Sequence, residues 1–265
     1  MGVAIGVKAV TVGAKTDTGA DYVNLKPALL IMALLTIMYA AARVYQQIFG
    51  WSAGLDSTLP EFQTYWMNFF WTELAVEAVV GAGLWSCLWF TRDRHLDKLS
   101  PKEELRRYFN LVGWLMVYAF AVYFAVSFFA EQDAAWHQTV VRDTSLTPSH
   151  IILFYLGIPT YVIAGVGAFL YAMTRLPRYA SGISVPFVLA VTGPFMILPN
   201  LGYNEWGHAF WLMEEVFGAP LHWGFVVLGW SVLALGGVLL QGIHRMIELL
   251  HTIFPEMATK HSGTA

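Results

Sequence analysis

Charge is scarce in this chain. Asp, Glu, Lys and Arg make up 12% of its 265 residues, about half the ~25% of an ordinary soluble domain. That shortage excludes a water-solvated surface over most of the length. Cysteine is nearly absent. Cys87 stands alone inside an apolar run, so neither an intrachain disulfide nor a thiolate metal cluster is available, and it reads as a small core residue. The formal net charge of −3 is too small to draw a nucleic-acid partner. The opening stretch MGVAIGVKAVTVGAKTDTGADYVNLK has no strong apolar core followed by a cleavage site, so it is not expected to be a removed signal peptide. No internal repeat and no low-complexity segment is visible.

What the chain has is hydrophobicity in long blocks. Hydrophobic residues make up 57%. They gather in runs at about 28–48, 66–90, 109–130, 151–173, 184–198 and 221–240. Several exceed the roughly 20 residues that cross about 30 Å of hydrocarbon as a helix. The expected fold class is all-α: a polytopic membrane helical bundle of about six transmembrane helices. A tail or interfacial segment is expected at 1–27, the bundle at 28–243, and a cytoplasmic tail at 244–265 that starts as an amphipathic interfacial helix. SPKEE marks a helix start, with Ser100 as cap, Pro101 in the first position and Glu103 and Glu104 in the first turn. The fifth run holds Pro186 and Pro194, which predicts a kink or partial unwinding. The aromatic stretch at about 200–220 is too polar to span.

Orientation follows from Lys and Arg. Six lie at 91–108, two at 174–183, three before the first run and two after the sixth. With six spans these thirteen share one side. The other side has only Arg142, while Arg43 lies within the first run. Both termini are expected in the cytoplasm.

Chemistry-bearing residues then collect on the opposite side, in AEQDAAWHQTVVRDTSLTPSH. Asp133 and His137 are spaced i, i+4, so a continuous helix puts them on one face. His150 returns where the next apolar run begins. One carboxylate with two imidazoles and open positions suits Fe(II), Cu(II) or Zn(II). The plainer alternative has Asp133 capping a helix or pairing with Arg142, with ordinary interfacial histidines. Asn204 and His208 repeat the i, i+4 spacing, and His222 follows at the start of the sixth run. That neutral set is a weaker metal site, and a turn asparagine with helix-entrance histidines explains it equally. Glu73 and Glu77 lie one turn apart inside the second run. Intramembrane carboxylates need a partner or a water-lined cavity. Pairing with Arg43 is the expectation, and proton carriage is the alternative. Glu214 and Glu215 sit near the second cluster, either orienting its imidazoles or facing solvent.

The stretches GWSAGLDS, PEFQTYWMNF, LWFTRDR, EELRRYF, EQDAAWHQTVVRDTSLTPSHII, AMTRLP, GPFMILPN, NEWGHAFWLMEE and APLHWGFVVLGW carry a resemblance. From about residue 40 to 230 the chain resembles the C subunit of the copper membrane monooxygenases. That family includes particulate methane monooxygenase, ammonia monooxygenase and short-chain hydrocarbon monooxygenases. The resemblance implies a trimer of protomers, each with A, B and C subunits, in a bacterial inner or intracytoplasmic membrane. It implies hydroxylation of methane, a short alkane or ammonia with O2 and reductant. It also implies copper at Asp133, His137 and His150, and a second copper site at Asn204, His208 and His222, both toward the periplasm. All six are expected as metal ligands and catalytic residues. The ligand chemistry alone leaves iron open; the resemblance selects copper. GWSAGLDS with QTYWMNF looks more like methane-oxidising members, and RDTSLTPSH with NEWGHAFW more like ammonia-oxidising ones; methane or a short hydrocarbon is slightly favoured. The alternative within the complex is a non-catalytic scaffold or copper-delivery role. A channel built on Glu73 and Glu77 would need polar residues through several spans, and only isolated ones occur.

Overall fold

A computed structural model of the chain describes residues 22–137, 146–193 and 220–255. The side chains of Ala134, His137 and residues 220–231 are outside that description. All regular elements among the described residues are helical. Five helices are long and apolar enough to cross a membrane, so the chain is a multi-pass membrane protein. We label α1 Lys26–Ala53 and α2 Pro60–Phe90. Helix α3, Pro101–Tyr123, runs through a π-helical stretch, Phe124–Phe129, into α4, Ala130–His137. Helix α5 is Pro148–Arg175, α6 is Val185–Thr192 and α7 is Pro220–Ile253.

The helix starts follow local chemistry. Ser100 Oγ accepts from the Glu103 N–H at 3.3 Å, with Pro101 next in line, as the SPKEE pattern predicts. Helix α5 likewise opens on Pro148, after an extended Thr147. The 28 residues of α1 reach about 42 Å at ~1.5 Å per residue, more than a bilayer core requires. Helix α7 continues to Ile253, so the helix expected to begin the 244–265 segment runs on from the sixth run. Of the fifth run, α6 is described; the stretch from 194 to 219 lies outside the described residues.

Packing centres on α3 and α5, whose apolar windows are the most enclosed. Small residues let aromatic rings in. A Cβ on Gly165 would come within 2.7 Å of the Tyr118 ring, and one on Gly167 within 2.8 Å of Trp114. The Tyr118 hydroxyl donates to Ala190 O, fixing α3 to α6. Helices α1 and α2 instead show rows of apolar side chains outward, among them Leu30, Ile37, Val79 and Phe90. In a membrane such faces meet lipid or a partner helix. Cys87 is exposed on α2. The core position expected for it is overturned: the outward face of a membrane helix is as apolar as its core, so hydrophobic context alone cannot place a residue inside.

The end of the bundle that holds most of the described Lys and Arg is laced by ion pairs. Arg107 Nη1 meets Asp93 Oδ2 at 2.9 Å and donates to Arg175 O at 3.0 Å. Arg245 grips Glu104 with both arms, at 2.8 and 3.0 Å, and so joins α7 to α3. The other end holds Asp133 and His150.

Candidate metal centre

Two segments and one helix end build this region. Segment α4 brings Asp133 up from the π-helical stretch 124–129. The start of α5 brings His150 down from Pro148, and a second π-helical stretch, Ile151–Gly157, follows at once. The two wide turns pack together where a Cβ on Gly157 would lie 3.2 Å from Ala125 Cβ. Wide turns of this kind recur at functional sites because they change the face a helix presents. The end of α1 seats the pair. Gly50 gives room to Trp136, whose ring would be 3.2 Å from a Cβ there, and any side chain on Gly54 would overlap Pro148. Trp51 of α1 stacks obliquely on Trp136, with centroids 5.2 Å apart. Trp66, fully buried, donates from Nε1 to Phe49 O at 3.2 Å.

Asp133 and His150 meet inside this frame. Asp133 is 3% exposed and His150 1%. Their Oδ1 and Nε2 atoms are 3.4 Å apart. The His150 ring leans on Phe154, one turn further along α5, with centroids 4.9 Å apart. Ser149 and Thr147 are buried beside them, with hydroxyls 3.4 Å from each other. A carboxylate and an imidazole, both out of water, are thus held face to face by an aromatic and aliphatic wall.

Asp133 and His150 could serve as two donors to one metal ion. A charge-assisted hydrogen bond closes to about 2.7–2.9 Å, shorter than the 3.4 Å found. Two donors that each sit about 2.1 Å from one tetrahedral ion stand about 3.4 Å apart. His137 ends α4, one turn beyond Asp133, so the backbone puts both on one helical face; its side chain lies outside the described residues. Among the described residues no group of three or more His, Cys, Asp or Glu comes together. Asn204 and His208 lie outside the described residues. His222 is in the first turn of α7, with its side chain outside the description. Helix α7 packs against α4 and runs antiparallel to it, which brings the His222 end of α7 to the Asp133 end of the bundle. Asp133 pairs with His150; Arg142, its other expected partner, lies outside the described residues.

The sequence reading did not single out Gly50, Gly54, Trp136 and Phe154 as parts of this centre. A signal was present: two glycines one turn apart at the end of an apolar run mark a close helix approach.

Residues 8–253 match the family described as the C subunit of ammonia monooxygenase/methane monooxygenase. No curated protein matches the chain.

Proposed function

The chain belongs to the C-subunit family of the ammonia and methane monooxygenases, and on that premise we propose that it is the copper-binding membrane subunit of its complex. Asp133, His137 and His150 hold one copper ion, and Asn204, His208 and His222 hold a second. The observation that carries this reading is the buried Asp133–His150 pair at 3.4 Å, a separation suited to two donors on one ion. The clusters face the periplasm, because the opposite end carries most of the Lys and Arg. The partners are the A and B subunits, in a trimer of heterotrimers within a bacterial inner or intracytoplasmic membrane.

Bound copper would supply the site's capacity to react with O2. The chain's own residues do the rest. Asp133 supplies negative charge that balances the cation. His150 is oriented by Phe154 and by its place at the start of α5. Trp136 and Trp66, both buried, keep bulk water away, which strengthens each electrostatic contact inside. The apolar outer faces of α1 and α2 let a small gaseous substrate approach through lipid. Methane or a short alkane is the favoured substrate, with ammonia as the competing one.

X-ray absorption at the copper edge, on the intact complex and on its His150→Ala variant, tests the assignment. The reading expects a nitrogen- and oxygen-ligated copper signal that weakens in the variant. An unchanged signal per assembled complex would remove copper from the Asp133–His150 centre and leave Asn204, His208 and His222 as the ligands this chain offers.

A further inference from the structure

Halfway down α2, one turn apart, Glu73 and Glu77 form a polar cluster that the metal centre does not use. Glu73 is 6% exposed, and neither carboxyl oxygen has a hydrogen-bond partner among the described residues. The cation expected beside them is engaged elsewhere: Arg43 Nη1 donates to Gln46 Oε1 at 3.2 Å. The pairing of Arg43 with these glutamates is therefore overturned. The reason is geometric: Gln46 is one turn along the same helix and within easy reach, whereas the glutamates are on another.

Thr160 of α5 is the one hydroxyl within hydrogen-bond reach of Glu77 among the described residues. Its Oγ1 is 2.7 Å from Leu156 O and 3.2 Å from Glu77 Oε1, and a hydroxyl has one proton to give. Thr160 can give that proton to Leu156 O or to Glu77 Oε1 but not to both, so Glu77 has at most this one contact, and its Oε2 has no hydrogen-bond partner among the described residues. A second buried polar group joins the cluster. The Tyr39 hydroxyl of α1, on a side chain 1% exposed, lies beside Thr160 and Glu77 without a hydrogen bond of ordinary geometry. An ionised carboxylate buried here without a counter-charge would be costly; a carboxyl holding its proton is not.

We propose that Glu73, Glu77, Thr160 and Tyr39 form a proton-binding site inside the membrane, whose two carboxyls hold protons at rest and exchange them during turnover. A monooxygenase joins one O2, two electrons from its reductant and two protons. One oxygen atom enters the substrate, and the other leaves as water carrying both protons. A carboxyl pair inside the bundle can hold such protons and pass them on. Thr160 is ten residues along α5 from His150, about 15 Å at ~1.5 Å per residue, so the pair is separate from the metal ligands. The proposal rests on membership of a monooxygenase complex and not on the copper assignment.

The test uses the intact complex in native membranes. Dicyclohexylcarbodiimide, an apolar reagent that adds to protonated buried carboxyls, is followed by peptide mass spectrometry. An adduct at Glu73 or Glu77 is expected, together with an infrared carboxylic-acid carbonyl band that shifts in D2O and weakens in Glu73→Gln and Glu77→Gln. These variants should keep their copper while turnover drops roughly tenfold or more and its pH profile changes, with partial recovery in Glu77→Asp. Absence of both adduct and band overturns the proposal, whether or not the variants assemble. So does full turnover of the double Gln variant, or protection from labelling by Na+, K+ or Ca2+, which would mark a metal-cation site. Copper content, read separately, tells failure of this proposal from failure of the metal centre.

Discussion

Asp133 Oδ1 and His150 Nε2 face each other across 3.4 Å, although they belong to different helices and the chain between them passes through a long connection. Each is positioned by a neighbouring wide turn, and both are almost wholly buried. Such a pair is expensive to leave without a use.

Asp133→Asn tests the charge at nearly constant shape. The expected outcome is at least about tenfold weaker copper retention, read as copper per assembled complex after mild chelation. Retention equal to the parent would show that the carboxylate is not a ligand.

Gly157→Leu tests how the centre is shaped. The new side chain must displace Ala125, which a Cβ alone would approach at 3.2 Å. Overpacking of this kind costs about 1–3 kcal/mol. A lower melting temperature is expected, together with copper loss. A lower melting temperature with full copper would mean that the π-helical contact supports the fold but not the metal centre.

These two variants bracket what the sequence made legible. Long apolar runs, the Ser100–Pro101 start and the return of the chain at Pro148 come from local chemistry that needs no partner, and the structure shows all three. The π-helical turns were invisible. They accompany a close approach between Gly157 and Ala125, residues far apart in the chain. Cys87 and Arg43 misled for a related reason: in a membrane protein, inside and outside are both apolar, and a helix-local partner such as Gln46 competes with any distant one. The site residues were legible as a spacing, Asp133 with His137 and then His150. That Asp133 and His150 would meet at 3.4 Å was not, because it depends on how α1 closes over them through Gly50 and Gly54.

At the basic end, Arg245→Ala would leave Glu104, 4% exposed, without its two-armed partner. A loss of about 1.5–3 kcal/mol is expected, since Arg245 is a third exposed, measured by denaturation in nanodiscs. Glu104→Leu combined with Arg245→Met should recover much of it, since an apolar pair leaves no charge stranded. A single variant as stable as the parent would contradict the pairing.

The loop between α2 and α3 gives a pH signature. The backbone N–H of His95 and then the Arg107 guanidinium hold the Asp93 carboxyl below the usual carboxylate range. A depressed folded value stabilises the fold above the unfolded carboxylate value. That contribution fades as pH falls through the lower, folded one. Acid should therefore loosen this loop, with a small effect, since Asp93 is partly exposed and such pairs give about 1 kcal/mol or less. Asp93→Asn should flatten the acid limb of the stability profile; an unaltered limb would assign it to other groups.

The most direct measurement is substrate-dependent O2 consumption by native membranes, with methane, butane and ammonia side by side. Each is assayed before chelation, after it, and after copper is restored, in the parent and in His150→Ala. The account predicts turnover with one substrate that copper restores in the parent and not in the variant. Full, copper-restorable turnover in an assembled His150→Ala complex would contradict it.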